Sequence, residues 1–211
     1  MVDATTWLSE ASPRALLRYL QEHNLLSPRK DRLIACACCR LAWPLLTDER
    51  SRRAVEAAER FADGTRLSLE HFYQAARDVA EERCLWGVRM DGYGEASAAH
   101  DAIATVVEGD SPAYLVCRDP YVPGAADIIR DIAGNPFRAV PFDPAWLTRN
   151  GGVVRTMAAA VYENRTFGDM PILADALEDA GCDSGDVLDH CRGGGEHQRG
   201  CWVLDLLLGR G

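Results

Sequence analysis

Along this chain a short polar residue repeatedly precedes a run fit for a helix: Ser12-Pro13, Ser27-Pro28, Thr47-Asp48, Ser68-Leu69-Glu70, Ser111-Pro112 and Asp143-Pro144. Each such side chain can accept a hydrogen bond from the free N–H groups of a first helical turn. Proline, where it follows, forfeits nothing there, because its missing donor would have had no partner. Strand patterns are sparse by comparison. The spacing predicts an all-α protein, an irregular multi-helix bundle.

The first predicted helix runs over 13–23, with Leu16, Leu17 and Leu20 at helical spacing. The second carries Leu33, Ile34, Cys36, Cys39, Leu41, Ala42 and Trp43 and is apolar nearly all round, which suits the centre of a bundle; Pro44 kinks or ends it. Amphipathic runs follow over 49–62, 68–90 and 95–107. From 108 to 124 the pattern is broken by Gly109, Pro112, Pro120 and Pro123, as in a linker or irregular loop. Helix resumes over 125–133 and stops at Gly134-Asn135-Pro136, and 137–142 reads as an extended arm. A short helix begins at Asp143-Pro144, and further helices are expected over 151–163, over 170–180 with Gly181 as the stop, from Asp183 to His190 or Cys191, and from Gly200 or Cys201 to the end. A single domain over 1–211 is expected, divisible into an N-terminal bundle (1–107) and a C-terminal helical module (125–211).

The chain of 211 residues carries a net charge of −9, which argues against the phosphate-backbone contacts that non-specific nucleic-acid binding needs. Arg50, Arg52 and Arg53 are interleaved with Glu49, Glu56 and Glu59, the pattern of a solvated mixed-charge face. The first ten residues lack the basic start and apolar run of a signal peptide, and no apolar stretch reaches the length of a membrane span. A cytoplasmic location is expected. The eight cysteines then read as buried thiols, metal ligands or reactive groups rather than a disulfide framework.

Chemistry concentrates at the C-terminal end, C-D-S-G-D-V-L-D-H-C-R-G-G-G-E-H-Q-R-G-C-W-V-L-D-L-L-L over 182–208. Zinc is the ion this thiol and imidazole set favours, and a structural site needs four donors. With 183–190 helical, Cys182 and His190 stand about 12 Å apart and cannot share an ion. The candidate ligands are therefore one of His190 or Cys191, then His197, then Cys201. The fourth comes from elsewhere, and Cys36 and Cys39, one helical turn apart, are the remote candidates. The spacing H-C-x5-H-x3-C is not that of a standard zinc finger, and buried thiols filling a core are the plainer reading.

A second candidate chemistry is a nucleophilic Cys201 or Cys191, activated by His197 or His190 with Asp189 or Glu196 orienting the ring, although no thiol-hydrolase signature flanks them. Gly193-Gly194-Gly195 lacks the P-loop pattern and a preceding strand, and reads as a turn.

The segments N-P-F-R, F-D-P-A-W-L, P-I-L-A-D-A-L-E-D-A-G-C and H-C-R-G-G-G-E-H-Q-R-G-C-W-V-L-D-L-L-L-G resemble a family of uncharacterised bacterial proteins common in planctomycetes. So do L-I-A-C-A-C-C-R-L-A-W and L-L-T-D-E-R-S-R-R-A-V-E-A-A-E-R in the N-terminal half. The resemblance implies a bacterial cytoplasmic protein behaving as one unit, and it brings no activity or catalytic residue with it. Together the residues point to a non-catalytic interaction or adaptor module with a protein partner; the alternative is a metal- or thiol-dependent enzyme built on His190, His197 and Cys201.

Overall fold

The structure, a computed structural model, describes residues 2–9, 12–41, 43–45, 49–64 and 124–210. The helices expected over 68–90 and 95–107, the broken stretch 108–123, the caps at Thr47, Asp48, Ser68 and Ser111, and Cys84 and Cys117 lie outside these residues. Among the described residues every regular element is a helix and there is no strand, so the fold is all-α. None of these helices is long and apolar enough to cross a membrane. The chain divides into two compact units, Met1–Ile129 and Arg130–Gly211.

In the first unit, helix α1 (Ala4–Ser9) was not evident from the sequence pattern. Its cap is Asp3, whose Oδ1 accepts the N–H groups of Thr5 and Thr6 at 3.0 and 2.8 Å. Helix α2 (Pro13–Glu22) starts as expected, with Ser12 Oγ accepting from the Ala15 N–H at 3.3 Å, and it buries Leu16, Leu17 and Leu20. Helix α3 (Pro28–Leu41) is apolar on all sides over Leu33, Ile34, Ala35, Cys36, Ala37, Cys38 and Cys39, and all seven are buried. Trp43 and Pro44 fall in a separate 3-10 turn, Trp43–Leu45, in keeping with proline's inability to continue an α-helix.

Helix α4 (Glu49–Ala62) packs along α3 and buries Ala54, Val55 and Ala58. Between the two helices the Cys36 thiol lies 3.9 Å from the Val55 carbonyl oxygen, a weak donor meeting an otherwise spent acceptor. Arg40 donates from Nε and Nη2 to the two oxygens of Glu59 at 2.6 and 2.8 Å, and its guanidinium lies 4.4 Å over the Trp43 ring.

The second unit begins inside helix α5 (Ala125–Ala133), which Gly134 ends at φ 75°. Asp143 accepts from the Ala145 N–H at 2.9 Å and caps a 3-10 turn, Pro144–Leu147, that buries Trp146. Helix α6 (Val153–Asn164) starts later than the apolar spacing suggested because Asn150, Gly151 and Gly152 are all left-handed, at φ 52°, 71° and 78°. Helix α7 (Met170–Asp179) packs on α6 and α8 (Gly185–Arg192), and α9 (Trp202–Leu208) returns onto α6.

The interior of this unit is built from Val154, Ala158, Val161, Tyr162, Met170, Leu173, Leu177, Val187, Val203, Leu204 and Leu207, with Cys182, Cys191 and Cys201 among them. A fully buried leucine or valine of this kind contributes about 1.5–3 kcal/mol. This core fixes the C-terminal end of α8 beside the N-terminal end of α9.

Candidate metal centre

Four side chains meet at that junction. His190 comes from the last turn of α8, Cys201 is the N-cap of α9, His197 lies in the irregular loop that joins them, and Asp131 projects from α5. The chain leaves α8 through glycines 193–195, and Gly200, left-handed at φ 92°, turns it into α9. The Cys201 N–H then bonds the Gln198 carbonyl at 2.9 Å and tightens the last turn before α9.

One ligand-type atom from each of the four lies within 4.8 Å of the other three. Asp131 Oδ1 is 2.8 Å from His197 Nδ1 and 3.2 Å from His190 Nε2. Cys201 Sγ is 3.2 Å from His190 Nε2 and 3.9 Å from His197 Nδ1. Around a tetrahedral zinc ion, nitrogen and oxygen donors would stand about 3.3 Å apart, and pairs including sulfur about 3.6 Å. The two nitrogen–oxygen separations, 2.8 and 3.2 Å, fall short of the first value, and the two sulfur–nitrogen separations, 3.2 and 3.9 Å, bracket the second.

The arrangement is convergent rather than serial. In a catalytic Cys-His-Asp relay the thiol and the carboxylate address opposite ring nitrogens, so that the imidazole passes a proton along a line. Here sulfur and carboxylate both face the same nitrogen of His190. Cys201 is also 0% exposed, and burial above all, with the Asp131 charge, pushes its thiol pKa well above the ordinary value. The backbone N–H groups of Val203 and Leu204 act the other way and favour a thiolate, as a metal would require.

Asp131 is 6% exposed and would prefer to be neutral on burial alone. Its hydrogen bonds to His190 and His197, with their charges, outweigh that and hold its pKa below the usual carboxylate value. Its other oxygen, Oδ2, accepts the Gln198 N–H at 2.8 Å, which fixes the carboxylate so that Oδ1 faces the centre. His197 Nε2, on the far side of its ring, is buried and has no hydrogen-bond partner. Among the described residues, the hydrogen bonds to the His197 ring are all made at Nδ1.

Of the residues singled out from sequence, the structure brings His190, His197 and Cys201 together. At the junction of α8 and the loop it is His190 that enters the cluster. Cys191 is fully buried in the core of the second unit, and burial raises its thiol pKa to about 12. Cys36 and Cys39 belong to the first unit, on α3, and the group of four is complete without them.

Asp131 was not foreseen as a donor. The available signal was its position beside Ile128, Ile129 and Ile132 on an apolar helix face, where an acid must find partners. Asp189 and Glu196, the carboxylates nearest in sequence, are not in the cluster. No family model matches the chain, and no curated protein or solved structure matches it either.

Proposed function

We propose that the second unit is a metal-stapled helical module in which Asp131, His190, His197 and Cys201 hold one zinc-type divalent ion. The observation that carries this reading is the convergence of four donors, all of types that zinc accepts, from three separate segments of chain. Two anionic donors and two neutral imidazoles balance a divalent charge. Four protein donors complete a tetrahedron and leave no vacant position, which is the pattern of a structural site rather than a catalytic one. The ion would tie α5 to the α8–α9 turn.

On this reading the chain serves as a non-catalytic interaction module in the cytoplasm, with another protein as its partner. The net charge of −9 and the sealed Cys201 thiol support it. Elemental analysis of protein purified without a histidine tag provides the test. We expect about one zinc per chain, lost in Cys201→Ala and in Asp131→Ala. Turnover of thioester, peptide or phosphoester substrates that disappears in Cys201→Ala would instead establish the enzymatic alternative.

A further inference from the structure

The centre is not sealed evenly. The side chains of Asp131 and His197 are each 7% exposed and Cys201 is 0%, whereas His190 stands at 20% and is the ligand that solvent reaches. The residue placed against His190 is Trp202. Its indole centroid lies 5.1 Å from the His190 ring, with the planes tilted by 54°. The same side chain rests on Gly134, where an added Cβ would come within 3.2 Å of Trp202 Cγ. Gly134 closes α5, the helix that carries Asp131, and Trp202 directly follows Cys201 in the chain. One indole therefore touches a ligand's ring and the end of another ligand's helix while sharing a peptide bond with a third ligand.

For an ion to leave a closed four-donor site, one donor must first detach and be replaced by water. Asp131 is held by the Gln198 N–H, and Cys201 and His197 are both buried. His190 is the partly exposed donor, and the indole lies against its ring, 5.1 Å between centroids. We propose, resting on the metal-binding reading above, that Trp202 is a positioning residue: it keeps His190 on the ion and so sets the rate at which the centre exchanges its metal with solution.

The test follows zinc release from the loaded full-length chain into an excess of a chromophoric chelator. Trp202→Ala should release zinc about tenfold faster than the unaltered chain, the scale typical of groups that orient a ligand, while still binding one ion. Trp202→Phe, which keeps a ring against His190, should stay within about twofold of the unaltered rate. In a His190→Cys background, which keeps a fourth donor but removes the ring that the indole faces, the same Trp202→Ala change should add less than about twofold, because its route of action has been removed. Trp202→Leu serves where the alanine variant folds poorly, since it keeps an apolar plug without the ring.

An unaltered rate in Trp202→Ala and Trp202→Leu overturns the proposal. So does an equal acceleration in the His190→Cys background, which would mean that the indole acts through the general stability of the unit. If the unaltered chain takes up no zinc, the centre itself is refuted and its gate with it. That result is distinct from a centre that binds zinc but exchanges it without regard to Trp202.

Discussion

Helix α3 in the first unit and the α8–α9 junction in the second both bury cysteine completely, yet they use it in opposite ways. On α3, Cys36, Cys38 and Cys39 lie among Leu33, Ile34, Ala35 and Ala37, and the Cys36 thiol lies 3.9 Å from a helical carbonyl oxygen, with the charges of Glu59, Arg32 and Arg40 acting on it from nearby. At the junction the Cys201 sulfur faces two imidazoles, lies near a carboxylate and has two backbone N–H groups favouring its anion. Exposure does not separate the two settings. What separates them is that at Cys201 three further ligand-type atoms converge with the sulfur within 4.8 Å of one another, and a buried polar atom is retained only where it is satisfied.

The sharpest way to break this comparison is to make the same change in both places. Cys201→Ser should weaken zinc retention by more than about a hundredfold, since it replaces a thiolate ligand with a poor one. Cys36→Ser should leave zinc retention unchanged and only destabilise the first unit, by about 1–3 kcal/mol for a hydroxyl in an apolar helix contact. Chelator competition and denaturant unfolding measure the two effects. Equal zinc loss in both variants would erase the distinction.

Removing the ion sharpens the comparison from the other side. An ion held at a thousand times its dissociation constant adds about 4 kcal/mol to the stability of whatever binds it. Chelation should therefore speed hydrogen exchange in Leu173 and Leu177 of α7 and in Leu204 and Leu207 of α9. The amides of Leu33 to Cys39 should keep their protection. Exchange that rises equally in both sets would show that the ion is not a staple of the second unit.

These two regions also differ in how far the sequence revealed them. The helix starts at Ser12 and Asp143 and the stop at Gly181 are local: each depends on hydrogen bonds reaching only a few residues, and each could be read from a short window. Helix α3 was legible because a run of seven buried residues leaves no polar stripe. His190, His197 and Cys201 stood out for the same local reason, being crowded around one glycine turn.

Asp131 is bonded to a partner 66 residues away, and no local pattern announces such a pairing. Cysteine is the conspicuous residue type in the sequence, so the pattern points to the thiols of Cys36 and Cys39 for a fourth donor. The fold instead supplied a carboxylate from a helix that looked ordinary. Helix α1 was missed because Asp3 caps through its neighbours Thr5 and Thr6 in a run too short for apolar periodicity to register.

A smaller effect concerns charge in the first unit. Glu59 is 2% exposed and pairs with Arg40, whose side chain is 20% exposed. Glu59→Gln should cost about 2 kcal/mol, below the usual range for a fully buried pair because Arg40 keeps some water and its place over Trp43. In the second unit, Arg192 bridges Asp175 and Glu178 on an exposed surface, so Arg192→Ala should leave the melting temperature essentially where it is. Thermal unfolding of the two variants checks the contrast.

The smallest effect is a dependence on pH carried by the α3 thiol. Burial above all, and then the nearby Glu59 and Cys39, raise the Cys36 pKa well above its ordinary 9.0 in the folded chain. The unfolded chain releases this proton near the ordinary value, while the folded chain keeps it. Cys36 therefore costs no stability below pH 9.0, and from there upward the unfolded state is favoured until the folded pKa is reached. Over that window the loss is about 1.4 kcal/mol per pH unit for the one group. Cys36→Ala should lower stability modestly at neutral pH yet flatten the alkaline decline by that slope, as urea unfolding at about pH 8 and about pH 10 would measure. If the slope survives the substitution, the Cys36 thiol is not the group that titrates, and its setting is less apolar than the packing of α3 on α4 implies.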